Sequence, residues 1–344
     1  MKYKNIVKSV MTQFGVADGH KFVPFIIGAP GGGKSSAARE IAQALAEVHG
    51  IPEERIIEFN PSLREPTDIL GLPIMGGECS KWLPPAEFYA IRKGQGASVL
   101  IIEELSDAAM DLQNPLCRVI LDRYAGQMPL SEELYIIATG NRTEDRSGAN
   151  RLSTKLANRM AILNFEENLD DWCEWAYNHD VPATLIMFLK WRPNLLSNFD
   201  PSQMFNPTPR SWESVGRIPT DMDKDDYFEF VQGLVGPGAA AEYCGFLKIF
   251  ESLPDLDEIL KHPDTVEMPT QVDVLFAITA KIITLATPKN FPKLYKFVQR
   301  MPVEFQVKLF RELCLSKTGK ALVKTKEFTD FAMKNNKVLL GVPA

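Results

Sequence analysis

A glycine-rich segment near the start of the chain has the residue types and spacing that hold phosphate. It fits the pattern GxxxxGK[ST], follows an apolar run and opens a helical pattern, the context in which this pattern binds phosphate. Glycines let the backbone turn tightly around phosphate oxygens, and successive N–H groups at a helix start form an anion cradle. Lys34 would reach the β- and γ-phosphates, and the Ser35 hydroxyl would be a ligand of Mg²⁺. The alternative is a glycine-rich turn that only joins a strand to a helix. The predicted phosphate-binding residues, which we name the glycine loop, are Gly28, Ala29, Pro30, Gly31, Gly32, Gly33, Lys34, Ser35 and Ser36.

Two consecutive carboxylates form a second candidate group. Glu103 and Glu104 come directly after the fully apolar run Val99–Ile102, which predicts a buried central strand. Ligands of open α/β sheets bind at the carboxyl ends of the strands, so we expect both side chains at that edge. Glu103 could bind Mg²⁺ or its waters, and Glu104 could polarise an attacking water for hydrolysis. Such a pair alone is usually a solvated loop, but a glycine loop earlier in the same sheet favours the catalytic interpretation.

The elements that must position these groups alternate between strands and helices. Spacing of apolar residues predicts a helix that begins after the glycine loop and stops near Gly50, and a second helix capped by Asn114-Pro115. This alternation predicts an α/β fold with a mostly parallel sheet covered on both faces. The predicted strands are residues 23–27, 55–59, 99–102, 134–138 and 161–165.

The second half of the chain has a different pattern. Strand signals fade after about residue 168, and helix-period segments punctuated by prolines dominate. We therefore predict two domains, an α/β nucleotide-binding domain at 1–168 and an all-helical region at 169–344. The clearest predicted helices are residues 169–177, 182–191, 272–285 and 302–313.

Composition limits the classes of function. The chain has 344 residues and a net charge of −6, which argues against a broad nucleic-acid-coating surface but leaves room for a local basic groove. We expect no membrane span and no signal peptide, because no apolar run is long enough for either. The five cysteines never have CxxC spacing and the four histidines are scattered, which favours reduced thiols in a cytoplasmic protein and disfavours a Cys/His metal site.

The motifs in this order resemble the AAA+ ATPase superfamily, and within it the MoxR-like branch. The resemblance rests on the glycine loop, on the acidic strand end, and on Ala138-Thr-Gly-Asn141 after the fourth strand, and it covers roughly residues 20–218. Segments 104–108, 112–123, 140–145, 156–159 and 209–212 carry the MoxR-like part. The resemblance implies a P-loop AAA+ parallel sheet flanked by helices, followed by an all-helical lid and a C-terminal helical extension. It also implies ATP and Mg²⁺ as cofactors.

The same resemblance implies roles for single polar residues. Asn141 is similar to sensor 1, which contacts the γ-phosphate or the lytic water; otherwise it is a turn asparagine. Arg159 resembles the arginine finger, which acts in the neighbouring subunit's site, with Arg142 and Arg151 as competitors that are more simply explained as surface ion-pair partners. Arg210, after a proline that opens a lid helix, resembles sensor 2; otherwise it is a surface arginine.

One position departs from the family pattern. The family usually has Asp where this chain has Glu103, which is one methylene longer, so contact with Mg²⁺, direct or through water, is expected to shift. Glu104 remains the expected catalytic carboxylate, because it is the second acid after the strand.

Two hairpins are predicted between the strands of the sheet. In the first, residues 72–75 face residues 80–83 across a Gly76-Gly77 turn, and the second lies around residues 124–128. In similar proteins the first region faces the central pore of a ring. Its side chains could then touch a partner, or Ile74 and Trp82 could simply pack the hairpin onto the domain. The residues concerned are Arg64, Ile74, Met75 and Trp82.

The resemblance favours an ATP-hydrolysing ring protein, expected to be a hexamer, that remodels a protein partner in the manner of a chaperone. The implied partner is a protein with a von Willebrand A domain. The alternative is a nucleic-acid-directed NTPase motor subunit of a restriction- or replication-type complex. Residues 141–147 resemble the restriction-motor branch, which prefers GTP. A third hypothesis is a non-hydrolysing switch in which nucleotide only orders the assembly.

Overall fold

A computed structural model describes residues 1–142, 152–200, 202–203 and 205–335 of the chain. The chain divides into two compact units, the first comprising Met1–Asn168 with Phe199–Met204 and the second comprising Leu169–Asn198 with Phe205–Ala344. All the strands among the described residues lie in the first unit. They are β1 (Pro24–Gly28), β2 (Ile56–Phe59), β3 (Leu72–Met75), β4 (Ser80–Leu83), β5 (Ser98–Ile102), β6 (Tyr124–Ala125), β7 (Met128–Pro129), β8 (Leu134–Asn141) and β9 (Ala161–Asn164).

Helices occur in both units. Those of the first unit are α1 (Tyr3–Phe14), α2 (Lys34–His49), α3 (Thr67–Leu70), α4 (Ala86–Ala90), α5 (Met110–Asp122) and α6 (Thr154–Ala157). Those of the second unit are α7 (Leu169–Asn178), α8 (Ala183–Trp191), α9 (Pro209–Val215), α10 (Lys224–Val235), α11 (Pro237–Ser252), α12 (Leu256–Lys261), α13 (Val272–Leu285), α14 (Phe291–Val298), α15 (Val303–Leu315), α16 (Lys317–Leu322) and α17 (Lys326–Lys334).

Five strands form one parallel sheet in the order β2-β5-β8-β1-β9. Alternate residues of β5 face opposite ways: Val99 and Ile101 pack in one apolar cluster, Leu100 and Ile102 in the other. A strand buried on both faces reads as a continuous apolar run, which is why the sequence identified it. All five predicted strands are confirmed, and β8 runs three residues further than predicted, to Asn141.

Helices cover both faces of this sheet. The cluster with Val99 and Ile101 also contains residues of α1 and α2, such as Ile6 and Ile41. The opposite cluster contains the buried face of α5, including Leu116. This layering is the predicted α/β fold, with helices on both sides of a parallel sheet.

The predicted start of α5 is wrong. The helix begins at Met110, with Ala109 extended before it, so Pro115 lies inside the helix rather than at its start. Proline at the sixth helical position removes only the one N–H that would bond the carbonyl of Asp111, and the apolar face of the helix compensates for that loss by packing on the sheet. The Asn114-Pro115 pair is therefore not a helix cap.

The second unit has a single apolar core built from its helices. Helix α13 spans Val272–Leu285 as predicted, and the other three predicted helices are confirmed to within two residues at each end. Large aromatic side chains such as Phe188, Trp212 and Phe310 are fully buried in this core. Within the part of the chain that the structure describes, no helix is long and apolar enough to cross a membrane.

Candidate active site

The glycine loop connects β1 to α2 in the predicted way. Gly31 and Gly33 have φ angles of 73° and 110°, which glycine adopts without strain and other residues rarely adopt. Glycine also suits position 28, because an added Cβ would lie in tight contact, 3.0 Å from the carbonyl oxygen of Phe165. These conformations turn the chain into the start of α2, where the first N–H groups of a helix have no partner within the helix. The loop therefore fits an anionic, phosphate-bearing ligand. Ser35 is half-buried and Ser36 exposed at this helix start.

Lys34 links the glycine loop to the neighbouring strand. Lys34 is only 8% exposed, and its ammonium donates to the carbonyl oxygens of Gly28 (3.0 Å) and Ala29 (2.7 Å), and to Oδ1 of Asn141 (3.0 Å). Asn141 reaches it because β1 and β8 are parallel neighbours with Gly28 paired to Asn141. The lysine and the predicted sensor 1 residue are thus brought together by sheet register.

Glu104 lies at the same edge of the sheet, at the end of β5. Its φ of 52° is unusual for a residue with a side chain, and its backbone N–H donates to Oγ1 of Thr139 on β8 (3.3 Å). Its exposed carboxylate accepts a hydrogen bond at Oε2 from the side-chain amide of Asn60, which follows β2 (3.0 Å). Groups from both neighbouring strands therefore orient Glu104, and sequence reasoning assigned no role to Asn60.

Glu103 is held in an ion pair rather than open to solvent. Arg39 of α2 donates to Oε1 of Glu103 (2.9 Å) and makes two hydrogen bonds to Glu58 of β2 (2.8 and 2.9 Å). The hydrogen bond to Glu58 raises the pKa of Arg39, and the same bond lowers the pKa of Glu58. Glu103 keeps its second carboxylate oxygen for the predicted contact with Mg²⁺ or its waters. Among the described residues no group of three or more His, Cys, Asp or Glu side chains could hold a metal.

Two residues that sequence reasoning left without a role complete the site. Ser106 is buried; its hydroxyl accepts from the backbone N–H of Asn141 (2.8 Å) and donates to Oδ1 of Asp107 (2.7 Å). Burial and the charge of Glu104 raise the pKa of Asp107, against the hydrogen bond from Ser106. The sequence feature that could identify Asp107 is its spacing from Glu104. Asp107 is three residues after Glu104, and residues 105–107 form a single 3₁₀ turn. Such a turn places residues three apart on one side.

Arg159, the predicted arginine finger, lies away from the sheet edge that carries the glycine loop. It comes between α6 and the start of β9, whose first residue, Ala161, pairs with Pro24 at the start of β1. Its guanidinium donates to Sγ of Cys117 (3.5 Å) and the carbonyl of Lys155 (3.3 Å), and its buried Nε bonds no group that the structure describes. Arg159 therefore sits at the opposite end of the strands from the glycine loop.

The competing arginines and the lid arginine are placed differently. Arg142 follows Asn141 directly and lies at the glycine-loop edge, whereas Arg151 is outside the described residues. Arg210 is an exposed residue in the first turn of α9, in the second unit. The proline before it opens that helix as predicted, supported by a reciprocal capping box between Thr208 and Ser211.

Both predicted hairpins are confirmed. Strands β3 and β4 pair antiparallel in the predicted register, and β6 pairs with β7. Every residue of β3 and β4 is exposed, including Ile74 and Trp82, and Met75 is 89% exposed. Arg64 is different, because it is half-buried and donates to Glu87 (2.7 Å).

Comparison with known proteins relates the part of the chain that carries this site to a protein family. Residues 24–160 match the family model of the AAA domain (dynein-related subfamily). This part of the chain is similar to an AAA domain. The matched segment of the AAA domain includes the glycine loop, Glu103, Glu104, Asn141 and Arg159. Its fold is the AAA+ parallel sheet flanked by helices, with many further helices after it.

Solved structures and curated sequences complete the comparison. The chain is similar to a RuvB variant from Thermotoga maritima at 18% identity, over 81% of this chain and 79% of that one, with a TM-score of 0.41. It is similar to NtrX from Brucella abortus at 16% identity, over 98% of this chain and 68% of that one, with a TM-score of 0.36. The ADP complex of that NtrX gives 17% identity, 99% and 68% coverage, and a TM-score of 0.34. No curated protein matches the chain.

Proposed function

We propose that this AAA domain protein is an ATP-hydrolysing ring protein of MoxR type, working in the cytoplasm. The observation that carries the proposal is the meeting of the Lys34 ammonium, the Asn141 amide and the Glu104 carboxylate at one edge of the sheet. In this proposal residues 1–168 are the nucleotide-binding domain, and residues 169–344 are a helical lid with a C-terminal extension.

The chemistry follows from the groups that meet there. Lys34, now bonded to carbonyl oxygens of its own loop, exchanges these for the β- and γ-phosphate oxygens of ATP. Glu104 takes the proton from the attacking water, and Asn141 orients that water or the γ-phosphate. Mg²⁺ bound by Ser35 and Glu103 would neutralise charge on the phosphates. Arg210 of the second unit is proposed to contact the γ-phosphate as sensor 2.

The position of Arg159 supports a ring. It lies at the opposite end of the strands from Lys34, which supports a role in a site other than its own. A guanidinium from a neighbouring copy would stabilise the charge that spreads over the transferring phosphoryl group. We propose a hexamer on this basis and on the family resemblance.

A complementation assay tests the shared site. Glu104→Gln and Arg159→Ala proteins should each hydrolyse ATP at a small fraction of the wild-type rate. Their mixture should regain measurable activity, because some interfaces then pair an intact Glu104 with an intact Arg159. Lys34→Ala mixed with Glu104→Gln is the matched control: both changes spoil the same half-site, so no activity should return. A mixture of Arg159→Ala and Glu104→Gln that stays inactive would place Arg159 in its own site or outside catalysis.

A protein client fits the exposed hairpin better than a nucleic acid does. Strands β3 and β4 expose Leu72, Ile74, Met75 and Leu83, whereas Lys81 is their only basic residue. Contiguous exposed apolar groups are typical of protein contacts, and nucleic-acid surfaces require basic ones. We propose a client with a von Willebrand A domain, remodelled in chaperone fashion.

The client can be captured with the hydrolysis-deficient protein. Glu104→Gln protein should hold its client in ATP, and mass spectrometry of a pull-down identifies it. The same variant with Met75→Asp is the matched control, because the added carboxylate alters only the exposed hairpin. Co-purification of nucleic acid in place of a von Willebrand A protein would favour the motor-subunit alternative.

A further inference from the structure

Glu167 places an unpaired carboxylate oxygen against the glycine loop. Its Oε1 is fully buried and accepts no hydrogen bond from any residue that the structure describes. The side chain lies so close to Gly32 that a Cβ built there would be 2.5 Å from this oxygen and 3.2 Å from the carboxyl carbon. A buried carboxylate oxygen without a donor is costly, so a donor supplied by a ligand is the natural completion of this site.

Backbone hydrogen bonds anchor the two residues that precede Glu167. The N–H of Phe165 donates to the carbonyl of Ile27 on β1 (2.7 Å), and the N–H of Glu166 donates to the carbonyl of Met1 (2.9 Å). Phe165 is also buried in the core on one face of the sheet. Glu167 follows these anchored residues directly, so its backbone is held beside the glycine loop.

Strand order shows which part of a bound nucleotide Glu167 would meet. Asn141 and Glu104 follow β8 and β5, which lie on one side of β1, and Glu167 follows β9 on the other side. Neighbouring strands are about 4.8 Å apart. A triphosphate in the glycine loop with its γ-phosphate near Asn141 and Glu104 therefore directs its nucleoside end towards β9. The hydrogen-bond donors at that end are the ribose hydroxyls and groups on the base.

We propose that Glu167 accepts a hydrogen bond from a ribose hydroxyl of the bound nucleotide. This inference rests on the proposed nucleotide-binding function. Contact with Gly32, inside the glycine loop, favours the ribose, because the sugar is bonded directly to the α-phosphate whereas the base is one sugar further away. In other nucleotide-binding folds a carboxylate accepts hydrogen bonds from the ribose hydroxyls. The negative charge of Glu167 beside bound phosphates is unfavourable unless such a donor offsets it.

Calorimetric binding tests the assignment without requiring turnover. The full chain is titrated with ADP, 2′-deoxy-ADP, 3′-deoxy-ADP and GDP in the presence of Mg²⁺. The proteins are wild type, Glu167→Ala and Glu166→Ala. Glu166 is the matched control, because it is the adjacent carboxylate, its side chain is 73% exposed, and its removal changes the charge equally.

One of the two deoxy-ADP nucleotides should bind the wild type and Glu166→Ala about tenfold more weakly than ADP does. This is the effect of losing one charge-assisted hydrogen bond. Glu167→Ala should bind this deoxy-ADP less than twofold more weakly than ADP. Equal discrimination in all three proteins, or none in the wild type, would overturn the ribose assignment. So would a Glu167→Ala protein that keeps hydroxyl discrimination but no longer separates ADP from GDP, since the carboxylate then reads the base. A wild type that binds no nucleotide would instead refute the proposed function itself.

Discussion

Replacing Lys190 by Met should strongly destabilise the second unit. Glu312 of α15 is 2% exposed, and its carboxylate accepts from the Lys190 ammonium of α8 (2.5 Å) and from the Tyr177 hydroxyl of α7 (2.9 Å). Burial acts to lower the pKa of Lys190, but the charge and hydrogen bond of Glu312, together with the charges of Cys173 and Asp170, outweigh it, so the pKa is raised. Burial and the same carboxylate raise the pKa of Tyr177 well above its usual value. The cluster ties the C-terminal helices to the first helices of the unit.

The size of the effect follows from what the substitution leaves behind. Lys190→Met keeps the side-chain length but leaves the Glu312 carboxylate buried with only the Tyr177 hydroxyl, and breaking a buried pair in this way costs about 3–5 kcal/mol. Adding Glu312→Gln removes the unpaired charge and keeps an acceptor for Tyr177, so at least half of the loss should return. The exposed pair between Lys224 and Glu251 (2.6 Å) is the matched control in the same unit, and Lys224→Met should cost less than about 1 kcal/mol.

Urea unfolding followed by tryptophan fluorescence measures these changes. Four of the five tryptophans lie in the second unit, so the signal reports mainly on that unit. With a denaturant slope of about 2 kcal/mol per M, Lys190→Met should lower the midpoint by roughly 1.5–2.5 M. A midpoint change no larger than that of Lys224→Met would refute the idea that the buried pair holds α7, α8 and α15 together.

Two further predictions concern the first unit, and a third compares one thiol from each unit. Asn60→Ala removes the donor that orients Glu104, so steady-state kinetics should show kcat reduced about tenfold while nucleotide Kd changes less than twofold; reduced affinity with unchanged kcat would contradict this. Gly32→Ala should push the flexible Glu167 carboxylate aside. The wild type should bind ADP more tightly than the deoxy-ADP that lacks the contacted hydroxyl, and the variant should bind the two equally. A ratio of these two Kd values that is the same in the variant and the wild type would count against the ribose contact. Burial raises the pKa of Cys173 to about 12, so iodoacetamide at pH 8 should leave native Cys173 unmodified and alkylate exposed Cys79, as read by mass spectrometry; rapid labelling of Cys173 would show that the helical core opens.

The strands of the sheet were predictable because each is an apolar run with local boundaries. Val99–Ile102 is buried on both faces, and such a strand differs from its surroundings in every residue. The glycine loop was predictable for a similar reason, since its conformation depends on glycines that are adjacent in sequence. The start of α5 differs from the prediction because Pro115, a residue typical of a helix boundary, lies inside the helix. Packing of the helix on the sheet outweighs the single hydrogen bond that Pro115 removes.

Contacts between residues distant in sequence could not be predicted in this way. Arg39 bonds Glu58 and Glu103, which lie 19 and 64 residues away, and the pairing follows only from the order of β2 and β5 in the sheet. The same is true of Asn60 beside Glu104 and of Glu167 beside Gly32. Sequence motifs identify which groups have chemistry, whereas strand order decides which of them meet.

The separation between Arg159 and Lys34 bears directly on how the site is completed. Both residues belong to the first unit, at opposite ends of parallel neighbours β9 and β1, and β1 alone is about 13 Å long at 3.3 Å per residue. Movement of the second unit cannot shorten this distance, because the sheet between them is buried on both faces and rigidly packed. If Arg159 acts in hydrolysis, it must therefore act on the glycine loop of another copy. In that case the sheet that holds Lys34, Asn141 and Glu104 at one edge makes catalysis by Arg159 dependent on assembly.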